Sequence, residues 1–326
     1  MINFAIIQLS PKHTEIFGTF IELIKYNHWN LVIYYDINAD SYTFLNYYQQ
    51  LFGKLDIRHP SLLKTEYMNY NYYIFSSSGD DTRIADVFKT IEYSNKSIYV
   101  MHQAHHLQSY MKKTIKVSPV ININSTYILP IYKSYYNYHN KPAKKKNNFA
   151  VIGAFRFNNM DAKDKDIQYI IDILEQYPDS KYKIYFYMRS IDWKVITKKY
   201  PIFLKNKHVY YNPGLTTEEL IEKMKNIKFI LPLAKKDGLF YWQRLTGTIP
   251  FAINLNIPLI IDTNLAKIYN LEKCSFLYDN NLVEIFDEIL NINKNDYYDK
   301  ILSIMKYKKN IYKQNNRNLL QICLTN

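Results

Sequence analysis

The chain is 326 residues long, 48% hydrophobic and 22% charged, and carries a formal net charge of +13. That length fits two globular domains, and that apolar content supplies a core large enough to exclude wholesale disorder. Apolar runs such as 229–233, 249–253 and 257–261 extend only five residues, far short of the roughly 20 of a transmembrane helix, and two distant cysteines, Cys274 and Cys323, exclude a disulfide framework or a thiolate metal cluster.

From the amino terminus, residues 4–9 read as a short apolar strand ended by Ser10-Pro11. The opening MINFAIIQLS lacks the basic segment of a secretion signal, so a cytoplasmic location is expected. Ile16, Phe17, Phe20, Ile21, Leu23 and Ile24 recur at helical spacing until Asn27-His28. A strand follows at 31–35, a helix at 42–52 and a strand at 72–75, whose end, Ser76 to Gly79, suits the start of another helix reaching Phe88. The next strand, 98–101, leads into His102-Gln103-Ala104-His105-His106. Residues 132–148 are rich in Tyr, Asn and Lys, lack periodicity and read as a linker.

The second half repeats the alternation. A strand at 149–152 ends in Gly153-Ala154-Phe155-Arg156, and Ile167, Ile170, Ile171 and Leu174 give one apolar helix face. Strands follow at 182–188 and 209–211. Thr216 then supplies an N-cap hydroxyl, with Glu218 and Glu219 in the first turn of the next helix. Residues 229–233 and 257–261 read as strands, and the last 35 or so as mostly helical. Strands alternating with helices imply α/β architecture with parallel sheets. The expected organisation is two doubly wound Rossmann-like domains, 1–146 and 147–326, facing across a cleft, with the C-terminal helices crossing back toward the first domain.

Within the second half, NPGLTTEELIEKMKNIKFILPLAKKDG and then QRLTGTIPFAINLNIPLIID resemble the donor-binding domain of GT-B glycosyltransferases. The resemblance rests on Gly214, Thr217 to Leu220, Pro232, Gly238, Gly247 and Pro258 to Ile261, and covers about 110 residues. The strand-glycine-basic opening FAVIGAFR is similar to the family's donor loop. Four of only seven glycines (Gly153, Gly214, Gly238 and Gly247) fall in loops that the family sets around a nucleotide sugar. The implied activity is transfer of a sugar from a nucleotide diphosphate sugar to an acceptor hydroxyl on a glycan, protein or small molecule. That sugar nucleotide is a co-substrate, and neither a cofactor nor a bound metal is implied. Many retaining members carry two glutamates where this chain has Gln243 and Phe251. An inverting route, in which a histidine takes the acceptor proton, is then the expectation.

His13, directly after the first strand, occupies the position of the catalytic histidine in an inverting subset of the family, and His102 is the competing base. A metal-free site needs cations and backbone donors for the departing diphosphate. Arg156, Arg189, Lys235, Lys236 and Arg244 are the candidates, beside Gly153, Gly238 and Gly247, while Gln243 can hydrogen-bond a donor hydroxyl. The pattern His102-x-x-His105-His106 lacks further ligands for zinc. Asp161, Asp164 and Asp166 alternate with Lys163 and Lys165 at the start of a predicted helix, where pairing with the helix dipole accounts for them.

The charge excess is spread over the chain. Residues 1–148 hold 16 basic against 10 acidic side chains (net +6) and the remainder 26 against 19 (net +7). Local concentrations occur at Lys144 to Lys146 and around Lys306, Lys308, Lys309, Lys313 and Arg317. Two rival readings stand beside the enzyme: a non-catalytic GT-B-like interaction protein, and a nucleic-acid-directed binder or DNA glucosyltransferase, supported by the net charge alone.

Overall fold

A computed structural model describes residues 1–8, 16–36, 44–76, 91, 95–102, 109, 111–132, 146–155, 157–158, 161–162, 165–236, 238 and 246–324. Two compact units result, whose described residues fall within 1–132 and 310–324 for the first and within 146–238 and 246–309 for the second.

The first unit contains β1 (Asn3–Ile7), α1 (Phe17–Tyr26), β2 (Asn30–Tyr34), α2 (Phe44–Phe52), β3 (Asp56–Arg58), α3 (Leu63–Glu66), β4 (Tyr72–Phe75), β5 (Ser97–Met101), β6 (Lys113–Lys116) and β7 (Thr126–Tyr127). All its strand pairings are parallel, in the order β3-β2-β1-β4-β5-β6-β7. Phe4 to Ile7 are fully buried, as a central strand covered on both faces must be. Gly18 lets α1 approach its neighbours. A Cβ there would stand 2.7 Å from the Tyr48 ring and 2.8 Å from that of Tyr132. His28, at φ +56°, takes the left-handed position that closes α1.

The second unit contains β8 (Asn148–Ile152), β9 (Phe157–Asn158), β10 (Asp161–Ala162), α4 (Gln168–Gln176), β11 (Lys183–Tyr187), α5 (Ser190–Lys199), α6 (Ile202–Lys205), β12 (Val209–Asn212), α7 (Thr217–Met224), β13 (Phe229–Ile230), α8 (Thr248–Asn254), β14 (Leu259–Asp262), α9 (Thr263–Tyr269), β15 (Ser275–Tyr278), α10 (Phe286–Leu290) and the start of α11 (Lys294–Leu324). Its main sheet is also wholly parallel, in the order β12-β11-β8-β13-β14-β15. Phe149 anchors the core, stacked on Phe229 at 5.4 Å and tilted against Phe286 at 5.3 Å. Such aromatic pairs add to the area each ring buries.

Most predicted elements appear within a residue or two, and the differences have local causes. The strand expected at 229–233 stops at Ile230, because Pro232 lacks a donor and Leu233 turns left-handed at φ +53°. The described residues 161–162 and 165–166 do not begin the expected helix. Asp161–Ala162 pair antiparallel with Phe157–Asn158, Lys165 bridges Ala234, and α4 starts only at Gln168. β3, β6 and β7 are short or polar strands that periodicity does not flag. The helix expected after Ser76 and most of the linker lie outside the described residues, although Asn148 already opens β8. Among the described residues, no helix is long and apolar enough to cross a membrane.

Candidate functional site

In each sheet the strand order reverses between its first and fourth members. Open α/β sheets bind ligands outside the carboxyl ends of the strands at that point. In the second unit the reversal lies between β8 and β13. Gly153 extends the β8 pairing by one bond, its N–H donating to the Tyr187 carbonyl at 3.0 Å. It then adopts φ +93°, which a side chain disfavours, and no described residue stands within 4 Å of where a Cβ would be.

The Ile152 carbonyl is the focus of this edge. Lys165 Nζ donates to it at 2.6 Å and Thr248 Oγ1 at 3.3 Å. Lys165 is only 3% exposed, and its ammonium lies 5.4 Å from the centre of the Phe155 ring. Its backbone is strapped across the reversal, since Lys165 bridges Ala234 and the Asp166 N–H donates to the Leu233 carbonyl at 2.7 Å. The strap holds Leu233 in its left-handed conformation, which costs on the order of 1 kcal/mol outside glycine. A lysine ammonium held at the carboxyl end of a central parallel strand places a positive charge at the edge where open α/β sheets receive ligands.

Two of the predicted cations are committed to carboxylates. Arg189, the N-cap of α5, donates through Nε (3.0 Å) and Nη2 (2.9 Å) to Asp192, whose Oδ2 also accepts from the Phe155 N–H at 3.3 Å. The pair thus ties the loop after β11 to the loop after β8. Lys236 Nζ donates to the Asp279 carbonyl at 2.6 Å and lies 3.6 Å from Asp262 Oδ2. Asp262 is itself the N-cap of α9, accepting from Asn264 and Leu265. Near it, burial pushes the Tyr278 hydroxyl well above its ordinary pKa and that of Tyr169 up to about 12, so both stay neutral near pH 7.

Among the described candidates, Gly153 lies at the β8 edge, and Gly247 immediately precedes Thr248, whose hydroxyl reaches Ile152. Gly247 has ordinary helical φ (−57°) and open space beside it. Gly238 is buried, its N–H donating to the Lys235 carbonyl at 2.8 Å. Arg189 and Lys236 serve the neighbouring strand ends. His13, Arg156, Gln243 and Arg244 lie outside the described residues. Lys165, Thr248, Asp192 and Asp262 are the residues sequence reasoning missed. A lysine among alternating charges gives no signal of burial.

His102 follows β5 in the first unit, is 7% exposed and holds its Nε2 2.9 Å from the Ser76 carbonyl. A carbonyl only accepts, so Nε2 carries a proton and the lone pair of the neutral ring sits on Nδ1. The Ser76 hydroxyl lies between the Ile7 carbonyl (3.1 Å) and the Gln8 side chain. His102 therefore belongs to a buried polar cluster at the reversal between β1 and β4.

No family model and no curated protein sequence matches the chain. Solved structures match it nearly end to end. An Anabaena protein, HepE, in complex with UDP and glucose superposes with a TM-score of 0.65 at 10% identity, over 99% of each chain. An alpha-glucosyltransferase in complex with UDP and DNA matches at 0.55 and 10% identity, over 98% of this chain and 94% of the other. A Methanocaldococcus jannaschii UDP-GlcNAc 2-epimerase with UDP-GlcNAc and UDP matches at 0.50 and 13% identity, over 94% of this chain and 100% of the other. The chain has the GT-B glycosyltransferase fold, with two parallel Rossmann-like sheets of seven and six strands in tandem.

Proposed function

We propose that the chain is a nucleotide-sugar-dependent glycosyltransferase whose second unit holds the donor diphosphate at the carboxyl end of β8. The observation that carries this is Lys165, an ammonium buried at the strand-order reversal next to the side-chain-free bend at Gly153. In this reading the Gly153 bend lets a phosphate approach the backbone. Lys165 offsets charge on the departing diphosphate, with Arg156 and Arg244 as further cations. His13 is the proposed base that takes the acceptor proton, and transfer inverts the sugar. Because protein cations meet the diphosphate, turnover persists in a chelator.

UDP is the first nucleotide to test, since the HepE and alpha-glucosyltransferase structures hold UDP. Calorimetry with UDP and UDP-glucose should show binding, and Lys165→Met should weaken it by at least about tenfold, the loss expected for one charged hydrogen bond. No binding of UDP, GDP or TDP, alone or as sugars, would reject the reading. One specific observation favours a second: a 2-epimerase structure in complex with UDP-GlcNAc and UDP has a similar fold. Product analysis separates them, since an epimerase converts the donor without an acceptor. The acceptor class is proposed to be a glycan, protein or small molecule. Glucose incorporation into duplex DNA would replace that assignment.

A further inference from the structure

The terminal helix α11 carries a cationic face that the donor site does not use. From Lys300 to Leu324 the sequence contains six basic residues and no Asp or Glu. Four of these, Lys306, Lys309, Lys313 and Arg317, are exposed and recur at spacings of three, four and four, which places them in one stripe along the helix. With a rise of 1.5 Å per residue the stripe is about 16 Å long. None of the four makes an ion pair or hydrogen bond with another described residue. Lys308, on the opposite side of the helix, is instead spent on the Asn254 carbonyl at 2.7 Å.

The same stripe is bounded by leucines. Leu302, one turn before Lys306, is 44% exposed, and Leu324, near the other end, is 77% exposed. Both fall within the arc of the four cations at 100° per residue. On an aqueous surface these two side chains gain nothing, and against a nucleic-acid backbone they would meet phosphate. Against a bilayer they enter the boundary between headgroups and acyl chains, while lysine and arginine stems reach anionic headgroups.

We infer that this face of α11 docks the protein on an anionic phospholipid surface. Each cation near such a surface adds an attraction that salt screens, so four give reversible and salt-sensitive attachment. The helix lies along the surface and does not enter the bilayer, because its opposite side, with Tyr297, Ile301, Ile304, Asn315 and Leu319, is buried in protein. The inference is independent of the donor site.

The test is co-sedimentation of the full chain with vesicles of phosphatidylcholine, alone or with about one-third phosphatidylglycerol, at low and high salt. Binding is expected only to the anionic vesicles and only at low salt. Reversing the stripe (K306E, K309E, K313E and R317E together) should reduce it more than about tenfold, and L302S with L324S by a few-fold. Circular dichroism tests whether the variants fold. If the quadruple variant does not, K313E alone should still shift the salt midpoint downward. Equal binding to neutral vesicles, or binding insensitive to stripe reversal, overturns the inference. So does stripe-dependent binding to duplex DNA without binding to vesicles.

Discussion

Two residues, Lys165 and Gly153, carry the donor site proposed for the second unit. Lys165→Met keeps an unbranched side chain but deletes the charge, so nucleotide binding should fall while the melting temperature changes little. Lost fold, read by circular dichroism, would show that the ammonium is structural. Gly153→Ala acts by another route. With no described residue within 4 Å, the added methyl meets no clash there and the cost is backbone strain at φ +93°, about 1 kcal/mol by denaturant titration. Gly247→Ala, at an ordinary helical φ, should leave stability nearly unchanged. A loss of UDP affinity there would then report ligand approach. The placement of glycines is legible in the sequence, whereas their division into conformational need (Gly153, Gly214) and open space (Gly247) is not.

Among the elements, α7 starts on a reciprocal capping box, with Thr216 accepting from the Glu219 N–H at 3.3 Å and Glu219 accepting from the Thr216 N–H at 2.8 Å. Thr216→Ala should cost about 1 kcal/mol in chemical denaturation. The Thr216 N–H holds the Glu219 carboxyl below its ordinary pKa, and the Asn280 N–H does the same for Glu284. A lowered folded pKa means that the carboxylate contributes stability above its unfolded value of about 4.3, and that this is lost as pH falls through the folded one. Glu219→Gln keeps an acceptor for the hydrogen bond and removes the titrating group, so its stability should fall less on acidification than that of the wild type. These caps are readable as Thr216, Glu218 and Glu219, because capping is local chemistry.

The terminal helix shows the opposite case. Asn315 is 1% exposed and grips one residue of the first unit, accepting from the Leu129 N–H at 3.2 Å and donating to its carbonyl at 2.7 Å. Asn318 donates to the Tyr127 carbonyl at 2.6 Å. Asn315→Leu would leave a buried donor and acceptor unpaired, costing about 2 kcal/mol or more. Gln314→Ala, at the exposed neighbouring position, should be neutral and serves as the control. Both are measured by thermal melting. In an Asn-rich helix, nothing local separates Asn315 from Asn316 or Asn318.

For the molecule as a whole, a ligand bound only by the folded chain raises its stability by mass action, about 2.7 kcal/mol at a hundredfold excess over Kd. UDP should therefore raise the melting temperature of the wild type, and at the same concentration raise that of Lys165→Met by less. Net charge also takes a sharper form here. Values of +6 and +7 over the two parts of the sequence show no bias, but the fold sorts four of those cations onto one solvent-facing stripe of α11.

The alternation of strands and helices, the parallel sheets that follow from it, the helix caps and the glycine-bearing loops are all written in the order of the residues. Each arises from periodicity or from bonding within a few positions. The burial of Lys165 at the β8 edge, the pairing of Arg189 and Lys236 with Asp192 and Asp262, and the clamp of Asn315 on Leu129 emerge only in the folded chain. Those outcomes depend on which distant segments lie side by side. A polar side chain takes its role from the partner that meets it, and that partner lies 13 residues away for Lys165 and Ile152, and 186 for Asn315 and Leu129.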